Sequence, residues 1–249
     1  MITSLANPKL RLIRRLAAKA QRDRLGLFVC EGEDLVEAGL DTGLTPVEVL
    51  LDAERPSLAG RLPGASQVAP DVLAKAASLA HPPRAVGIFR RVDLPQLRQE
   101  DGPLVGVAAW RVSDPGNVGA LLRSADALGP AFVCLSPGCA DPTGPKALRA
   151  AAGAIFRVPT APFEHGRRPW LGLVPRGGRP LATVRATVGT FVLGAERAGL
   201  PAEVCRRCDE LVTIPQASQA ESLNVAVAGA LALYEARACS ALAPALARL

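Results

Sequence analysis

The chain has 249 residues, of which 49% are hydrophobic and 21% charged, so it is long and apolar enough to bury a substantial core and is not disordered as a whole. Its net charge is +6, and the excess lies between residues 9 and 24, where seven basic residues stand against one acid. The first 25 residues lack the apolar core of a signal peptide, and the longest apolar stretch, 225–234, is well short of the ~20 residues that span a bilayer. These features predict a cytoplasmic protein with no membrane partner.

The first predicted element is a basic helix that starts at Asn7, with Pro8 in the first helical position, and ends at Gly26. Its apolar stripe consists of Leu10, Ile13, Leu16, Ala17 and Ala20. Clustered basic residues on one helix favour contact with the phosphates of a polyanion, although a face that serves only solubility has the same composition. The predicted contact residues are Lys9, Arg11, Arg14, Arg15 and Lys19.

Short strands and helices follow up to residue 73, with strands at 27–32, 47–52 and 67–70 and helices from about Asp34 and Asp71. The polar, proline-containing stretch 81–102 predicts a linker, so that the first domain spans residues 1–80. From residue 103 onward strands and helices alternate. The predicted strands are 104–109, 131–136, 155–159, 190–194 and 211–215, and the helices lie at Asn117, around Ala147, around Pro201 and from Glu221. Such alternation is typical of an α/β domain with a mainly parallel sheet, in this chain spanning 103–249.

The segment Asp114–Gly129, DPGNVGALLRSADALG, combines a turn, a helix start and one arginine. Its first three residues favour a turn, Asn117 is the predicted N-cap, and apolar residues from Val118 follow helical spacing. Arg123 lies about 1.7 turns after Asn117. A helix N-terminus flanked by glycines favours an anionic or polar ligand, although a capped surface helix with a solvated arginine gives the same pattern.

Two later segments also place polar residues beside predicted strand ends. The strand at 190–194 leads into GAERAGLP, residues 194–201, a glycine-bounded turn that carries Glu196. Residues 214–238, IPQASQAESLNVAVAGALALYEARA, run from a strand end through a polar loop into an almost wholly apolar helix. Ser222 and Asn224 at the mouth of this helix are either caps or groups aimed into a pocket.

Six cysteines do not make a dense disulfide framework in a chain of this length. Cys205 and Cys208 form a CxxC, which is compatible with a redox pair or half of a zinc site. No second CxxC occurs, and His81 and His165 are isolated in the sequence. The sequence therefore predicts no metal.

In this order and spacing, the three segments resemble the signature of the SpoU/TrmH branch of the SPOUT RNA methyltransferases. That signature runs NxGAxxRxADALG, then GxExxG, then IPM followed by ESLNVAVAxxxxLYE. Residues 2–40 are similar to the L30e-like RNA-binding domain that precedes the catalytic domain in many members, and residues 136–159 fit the stretch between the first and second motifs. The resemblance therefore covers the whole chain.

The resemblance implies S-adenosylmethionine-dependent methylation of a ribose 2′-hydroxyl in RNA, with 23S ribosomal RNA favoured over tRNA. The implied fold is an N-terminal L30e-like α/β domain followed by a SPOUT α/β domain with a deep trefoil knot, and the C-terminal domain forms a homodimer. The basic residues of the first helix become RNA contacts. The implied cofactor-binding residues are Gly194, Ile214 and Leu223, and the implied catalytic or substrate-facing residues are Asn117, Arg123, Glu196, Ser222 and Asn224.

Displacement at a sulfonium methyl requires the 2′-hydroxyl to be held in line and its developing negative charge to be stabilised. Arg123 is the predicted source of that stabilisation, or a clamp on the adjacent phosphate. It is a poor candidate for the base, because removing a proton from an ordinary guanidinium at pH 7 costs about 7.5 kcal/mol. Asn117 is predicted to position the ribose or Arg123, and Glu196 to orient the arginine. Ser222 and Asn224 are predicted to shape the nucleotide pocket.

The chain departs from the family pattern at three places, none of which removes a polar residue of the predicted site. The IPM-x-G stretch is replaced by residues 214–218, IPQAS, without the methionine and the glycine. The acidic lead-in LDxVxDP is replaced by Ala109-Trp110-Arg111-Val112, and HPPRAVGI lacks the common glutamine-glycine. These changes bear on the shape of the loops and on the choice of RNA.

Other functions compatible with parts of the pattern are a tRNA ribose methyltransferase of the same family and a non-catalytic RNA-binding or ribosome-assembly factor. The retained polar set argues against the non-catalytic alternative, because a protein without catalysis does not need it. A nucleotide-dependent dehydrogenase is disfavoured, since no GxGxxG follows a first strand with an acid about 20 residues further on.

Overall fold

The computed structural model describes residues 1–55, 60–62, 64–78, 82–98, 100, 102–217, 219 and 221–246. Two residues that the sequence singles out, His81 and Ser218, lie outside this range, as does the predicted boundary at residue 80. The chain divides into two compact units. The first unit comprises Met1–Leu94 with Asp141–Phe156, and the second comprises Pro95–Ala140 with Arg157–Leu249.

The described residues form short helices and strands, and the longest helix is the last one. The helices are α1 (Pro8–Leu16), α2 (Lys19–Leu25), α3 (Glu33–Asp41), α4 (Pro70–Ala76), α5 (Pro115–Leu128), α6 (Pro145–Ala151), α7 (Ala202–Cys205) and α8 (Val225–Leu246). The strands are β1 (Leu27–Glu31), β2 (Glu48–Asp52), β3 (Ser66–Val68), β4 (Ala85–Arg90), β5 (Val105–Ala109), β6 (Ala131–Leu135), β7 (Thr160–Pro162), β8 (Trp170–Leu173), β9 (Arg179–Pro180), β10 (Gly189–Leu193) and β11 (Glu210–Thr213).

The first unit is built on a four-stranded sheet in the order β1-β4-β2-β3. Strand β4 is antiparallel to both β1 and β2, and β2 is parallel to β3. Strand β4 falls inside the stretch predicted as a linker, yet every one of its residues except Arg90 is buried. Its sequence AVGIF is apolar on both faces of a strand, which favours burial at the centre of a sheet over a solvated connection. The predicted division into 1–80, 81–102 and 103–249 stays a prediction.

The basic N-terminal segment forms two helices, which corrects the prediction of one helix ending at Gly26. Helix α1 buries Leu10, Ile13 and Leu16 as predicted, whereas Ala17 and Ala20 are exposed. The helix ends at Leu16 because its last carbonyls find another donor: Arg22 Nη1 donates to the carbonyl oxygens of Leu16 and Ala17, both at 2.8 Å.

Arg22 also forms a buried ion pair with Asp141, and the two side chains are 5% and 4% exposed. Nη2 and Nε of Arg22 lie 2.8 and 2.9 Å from Asp141 Oδ2. Oδ1 of Asp141 accepts hydrogen bonds from the N–H and the hydroxyl of Thr143 at 2.9 and 2.7 Å, and it lies 3.2 Å from Arg91 Nη2. Every polar group of the pair is thereby satisfied within the first unit.

Residues 141–156 pack on the core of the first unit, although the strands before and after them belong to the second. The ring of Phe156 lies 6.1 Å from that of Phe28 and 5.2 Å from that of Phe89. The strand predicted at 155–159 is absent: Ala154–Phe156 form a 3-10 turn and β7 begins only at Thr160. Burial of Phe156 in this aromatic cluster accounts for the difference.

The second unit contains a seven-stranded sheet in the order β7-β6-β5-β10-β8-β11-β9, in which every pairing is parallel. The predicted α/β class with a mainly parallel sheet is confirmed. Strands β8 and β9 are additional to the predicted strands. The central strands β5 and β10 are almost wholly buried, and their carboxyl ends lie side by side, with Leu193 paired to Ala109. Ligand sites of such sheets form at the carboxyl ends of the strands.

Helices α5 and α8 run parallel to each other along the second unit. Asn224 Nδ2 donates to Asn117 Oδ1 at 2.9 Å near their starts. About one turn further along each helix, a Cβ added at Gly229 would lie 2.5 Å from Leu121 Cδ2, so the glycine permits the close approach. No helix in the described part of the chain is both long and apolar enough to cross a bilayer.

Candidate active site

Three residues predicted from separate motifs form one hydrogen-bonded chain in the second unit. Glu196 Oε1 accepts from Asn117 Nδ2 at 3.1 Å, and Asn117 Oδ1 accepts from Asn224 Nδ2 at 2.9 Å. The turn after β10, the first turn of α5 and the residue before α8 are thus joined through side chains alone. We call Glu196, Asn117 and Asn224 the polar triad.

Asn117 is held by a capped helix start, but it is not the cap. Helix α5 begins at Pro115, and Asp114 is its N-cap, since Asp114 Oδ1 accepts from the Asn117 N–H at 3.0 Å. The prediction of Asn117 as N-cap is therefore wrong by three residues. Proline at the first helical position after an aspartate is the stronger N-terminal signal. The side chain of Asn117 therefore does not cap the helix, and it forms its hydrogen bonds with Glu196 and Asn224 instead.

The Glu196 carboxylate connects the turn after β10 with the residues that precede and begin α5. It also accepts from the N–H of Asp114 at 3.1 Å and from the N–H of Ser113 at 3.4 Å. Partial burial opposes ionisation of Glu196, but hydrogen bonds from its own N–H, from Asn117 and from these two backbone groups outweigh the burial, so its pKa is lowered. The carboxylate is therefore ionised at neutral pH and accepts from all of these donors.

Asn224 combines a helix cap with a hydrogen bond within the polar triad. Its Oδ1 accepts from the N–H groups of Ala226 and Val227 at 2.9 and 3.2 Å, so it caps α8, which starts at Val225 and not at Glu221. Its Nδ2 remains available for Asn117. Ser222 is exposed and lines the cavity beside the polar triad.

Two substitutions of Asn224 separate these roles. Asn224→Asp keeps the capping oxygen but replaces the donor to Asn117 by a second acceptor, so we expect unchanged stability and an activity of the site that is about fivefold lower, the effect of one lost hydrogen bond of about 1 kcal/mol. Asn224→Ala removes the capping oxygen and the donor to Asn117. We therefore expect the same loss of activity and, in addition, a free energy of unfolding that is lower by about 1 kcal/mol. Chemical denaturation together with turnover measures both effects. Equal loss of stability in the two variants would contradict the assignment.

The cavity beside the polar triad has a volume of about 370 Å³, and we call it the first cavity. All three predicted cofactor residues, Gly194, Ile214 and Leu223, line it, together with Glu196 and Ser222. The other lining residues are Leu173, Val174, Pro175, Leu193, Ala195, Arg197, Ala198, Gly199, Leu200, Gln216, Glu221, Val225 and Ala228. Its volume lies within the range of about 300–1,000 Å³ that is usual for small-ligand sites.

Gly194 permits the tight turn that forms one wall of the first cavity. A Cβ at Gly194 would lie 2.1 Å from the carbonyl carbon of Gly199 and 2.3 Å from the Leu200 nitrogen. Ala195 and Gly199 exchange two backbone hydrogen bonds, at 3.1 and 2.9 Å, across the turn. No side chain fits at position 194 without displacing backbone, which explains a glycine there in purely steric terms.

Arg123 is not brought to the polar triad within the described chain. It lies exposed on α5 and lines neither the first cavity nor the cavity on the other side of the 195–199 turn. The partners of the Glu196 carboxylate are Asn117 and backbone N–H groups, not Arg123. The predicted orienting of Arg123 by Glu196 is therefore not part of this arrangement.

The predicted polyanion contacts lie on the first unit. Arg11, Arg14, Arg15 and Lys19 are exposed. Lys9 is half-buried and contacts Glu48 at 2.8 Å and Ser66 Oγ at 2.7 Å. Lys19 pairs with Asp23 at 2.6 Å in the exposed i,i+4 geometry. The three arginines are thus the most accessible cations of the predicted set.

Both thiols of the CxxC form hydrogen bonds with backbone carbonyl groups. Cys205 and Cys208 donate to the carbonyl oxygens of Leu200 and Val204, at 3.7 and 3.4 Å. Burial raises the pKa of Cys208 to about 11, which disfavours its thiolate. Within the described residues there is no group of three or more His, Cys, Asp or Glu arranged to hold a metal ion.

Sequence reasoning missed Gln216 as a site residue, although the absence of the usual methionine there is visible in the sequence. Gln216 lines the first cavity, and its Oε1 is buried without a hydrogen-bond donor among the described residues. A buried acceptor without a donor costs about 1–3 kcal/mol. The sequence signal for this residue is its polarity, because the family pattern has an apolar methionine at this position.

Comparison with protein families gives a match to the SpoU rRNA Methylase family over residues 105–234. Two curated relatives match nearly the whole chain. A Synechocystis protein named as an uncharacterised tRNA/rRNA methyltransferase is 34% identical, over 95% of this chain and 93% of its own. A 23S rRNA (guanosine(2553)-2′-O)-methyltransferase of Bacillus subtilis is 28% identical, over 95% of this chain and 98% of its own.

Solved structures of similar proteins also cover both units. The AdoMet-bound rRNA methyltransferase from Sinorhizobium meliloti has a TM-score of 0.78 at 31% identity, and covers 95% of this chain and 97% of its own. The SpoU methyltransferase AviRb from Streptomyces viridochromogenes, in complex with AdoMet, has a TM-score of 0.80 at 27% identity, over 94% and 98% of the two chains.

Proposed function

This chain belongs to the SpoU rRNA methylase family, and from that premise we propose that it transfers a methyl group from S-adenosylmethionine to a ribose 2′-hydroxyl of 23S ribosomal RNA. The observation that carries the proposal is the polar triad, which joins three distant motifs at the edge of the first cavity. In this proposal the catalytic and substrate positions are Asn117, Arg123, Glu196, Ser222 and Asn224. The cofactor positions are Gly194, Ile214 and Leu223.

Ribosomal RNA is favoured over tRNA because relatives with rRNA in their names match both units, not the second unit alone. The first unit carries Arg11, Arg14 and Arg15 in exposed positions, and these cations suit contacts with RNA phosphates. A non-catalytic assembly factor has no need for a polar triad held at hydrogen-bond distance beside a ligand-sized cavity.

The residues of the first cavity fit S-adenosylmethionine. Its walls combine backbone turns with apolar side chains, and the orphaned Gln216 Oε1 provides a buried acceptor for a donor of the cofactor. When bound, the cofactor supplies an electrophilic methyl group on its sulfonium. Gly194, Ile214 and Leu223 would hold it, largely through backbone groups and surface contact.

The polar residues would act on the RNA. The side-chain amide of Asn117 is fixed by Glu196 at its nitrogen and by Asn224 at its oxygen. It would therefore present its hydrogen-bonding groups to the ribose in a single orientation. Arg123, exposed on α5, would stabilise the developing alkoxide or clamp the adjacent phosphate. The chain's residues would thus orient and polarise the 2′-hydroxyl, whose proton would pass to water as the oxygen–methyl bond forms and the sulfur–methyl bond breaks.

We also propose a homodimer through the second unit. On α8, Val227, Leu231 and Tyr234 are between 39% and 57% exposed. Their spacing of four and three residues places them on one helical stripe. An exposed apolar stripe of this kind favours coverage by a second chain. We propose further that the second unit contains a deep trefoil knot and that the protein is cytoplasmic.

The function is tested by mapping ribose 2′-O-methylation in total ribosomal RNA and tRNA with and without the gene. We expect one 23S rRNA position to lose its methyl group and to regain it when the purified protein acts on RNA from the deleted strain. A methyl group lost from tRNA alone would transfer the proposal to the alternative substrate. No change in either RNA would overturn it.

Gln216 gives a prediction for the cofactor. Replacing it with methionine removes the buried acceptor, so we expect the affinity for S-adenosylhomocysteine, measured by calorimetry, to fall about three- to tenfold, because a net hydrogen bond contributes about 1 kcal/mol. Gln216→Glu keeps an acceptor at this position and serves as the control. Unchanged affinity in Gln216→Met would remove Gln216 from the cofactor site.

A further inference from the structure

A second cavity, of about 390 Å³, lies on the other side of the 195–199 turn from the first cavity. Both cavities share Ala195, Ala198 and Gly199, so the turn is the wall between them. The remaining lining residues of the second cavity are Trp110, Arg111, Ser113, Gly138, Pro201 and Glu203, all in the second unit. Neither the proposed cofactor positions nor the polar triad line it.

The second cavity nevertheless adjoins the polar triad directly. Ser113 lines it, and the Ser113 N–H lies 3.4 Å from Glu196 Oε2. A group bound there would therefore lie next to the polar triad.

Arg111 is held over this cavity by its backbone. Its φ is 54°, in the left-handed region that non-glycine residues rarely adopt, and its N–H donates to the buried Ser136 Oγ at 2.8 Å. A Cβ at Gly138 would lie 3.4 Å from Arg111 Nε, so the arginine side chain lies along the glycine. Among the described residues its guanidinium has no carboxylate partner. Backbone strain of this kind is maintained only where the surroundings enforce it, and such residues cluster at functional sites.

Trp110 provides an aromatic surface next to this cation. It is half-buried, and its ring packs edge-on against Phe163 at 5.2 Å, while its backbone N–H donates to the Leu193 carbonyl at 2.8 Å. The contact with Phe163 orients the indole, and part of the residue's surface lines the cavity. Glu203 also lines the cavity, is exposed and adds a carboxylate acceptor.

We propose that the second cavity binds a nucleotide of the RNA substrate, with its base packed on Trp110 and its phosphate on Arg111. The inference rests on the proposed function and deepens it by naming the residues that select the substrate. Single-stranded RNA is recognised by stacking on aromatic side chains and by arginine contacts with phosphate. The volume of the cavity falls in the small-ligand range, and its cation suits an anionic nucleotide better than an apolar ligand.

The test uses the full-length protein and a short oligoribonucleotide of mixed sequence. The chain has two tryptophans, and Trp170 is only 2% exposed, so quenching of the fluorescence by a stacked base reports on Trp110. We expect saturable quenching in the wild type, retention of binding in Trp110→Phe, and affinity about tenfold lower in Trp110→Leu, read by fluorescence anisotropy of a labelled oligoribonucleotide.

Arg111→Asn removes the cation, while asparagine tolerates the left-handed backbone. We expect it to weaken oligoribonucleotide binding about tenfold and to reduce the slope of log affinity against log salt by about 0.7, the effect of one phosphate contact. Arg185→Asn is the matched control, because Arg185 is exposed and lines neither cavity, and it should change affinity by less than twofold.

Affinity for S-adenosylhomocysteine, measured on the same samples, should stay within twofold of the wild type. If Trp110→Leu and Arg111→Asn bind RNA as tightly as the wild type, the proposal is overturned. Loss of cofactor affinity in parallel would also overturn it, by making the cavity part of the cofactor site. Methyl transfer is measured separately: a wild type that binds and is quenched but transfers nothing contradicts the proposed function and leaves the nucleotide cavity standing.

Discussion

Replacing Arg123 with alanine is expected to lower the rate of methyl transfer by about 10²–10³-fold, the effect of removing one preorganised charge from an oxyanion. The affinity for S-adenosylhomocysteine should not change, because Arg123 does not line the first cavity. Stability should change by less than about 0.5 kcal/mol, since the side chain is exposed. Single-turnover transfer to RNA measures the effect free of product release.

Arg123→Lys is the informative companion variant. Lysine keeps the charge but loses the planar fork, so a rate between those of the wild type and Arg123→Ala indicates charge stabilisation combined with bidentate contact. Arg149→Ala, another exposed arginine on a helix, controls for the loss of one positive charge. Near-normal transfer by Arg123→Ala with an intact fold would remove this residue from the centre of the mechanism.

Breaking the buried pair between Arg22 and Asp141 is expected to lower the free energy of unfolding by about 3–5 kcal/mol. Asp141→Ala leaves the guanidinium buried at 5% exposure without its carboxylate. Arg22→Met leaves two carbonyl oxygens at the end of α1, as well as Asp141, without their donor. Urea denaturation of each variant measures the loss.

The double variant Arg22→Met/Asp141→Asn carries no unpaired buried charge, so its loss should be clearly smaller than the sum of the losses of Arg22→Met and Asp141→Asn. The exposed pair Lys75 and Asp71, 3.2 Å apart, is the matched control, and its disruption should cost less than about 1 kcal/mol. Additive losses at the buried pair would contradict the coupling.

The contribution of Asp141 should also depend on pH. Burial opposes its charged form, but hydrogen bonds from Thr143 and the charges of Arg91 and Arg22 outweigh burial, so its pKa is lowered from 3.8. A carboxyl with a depressed folded pKa stabilises fully above the unfolded pKa, and this contribution is lost as the pH falls through the folded value. The stability difference between wild type and Asp141→Asn should therefore be constant near neutrality and shrink below about pH 4.

The sequence predicted those parts of the fold that have a regular apolar pattern. The parallel sheet of the second unit follows from short apolar runs separated by helices. Strand β4 was missed because a proline-rich stretch precedes it and a polar one follows, and these outweighed its five apolar residues. The break after Leu16 depends on Arg22 and on Asp141, a partner 119 residues further along the chain, which local spacing cannot reveal.

The candidate site was predicted as a set of residues but not as a geometry. Asn117, Glu196 and Asn224 were each identified from separate motifs, and their direct hydrogen bonds depend on how α5 and α8 lie side by side. Gln216 and Arg111 were noted only as departures from a pattern. Their significance comes from a buried unpaired oxygen and a left-handed backbone, and neither is visible in a residue type.

Each of the two compact units consists of two separate segments of the chain. The chain leaves the first unit after Leu94, returns for Asp141–Phe156 and leaves again, so no single cut separates the units. A fragment beginning at Pro95 would carry the aromatic ring of Phe156 without Phe28 and Phe89, and one ending at Leu94 would lack Asp141 beneath Arg22. Exchange of residues 1–94 alone would therefore leave Asp141–Phe156 behind and disrupt the core of the first unit.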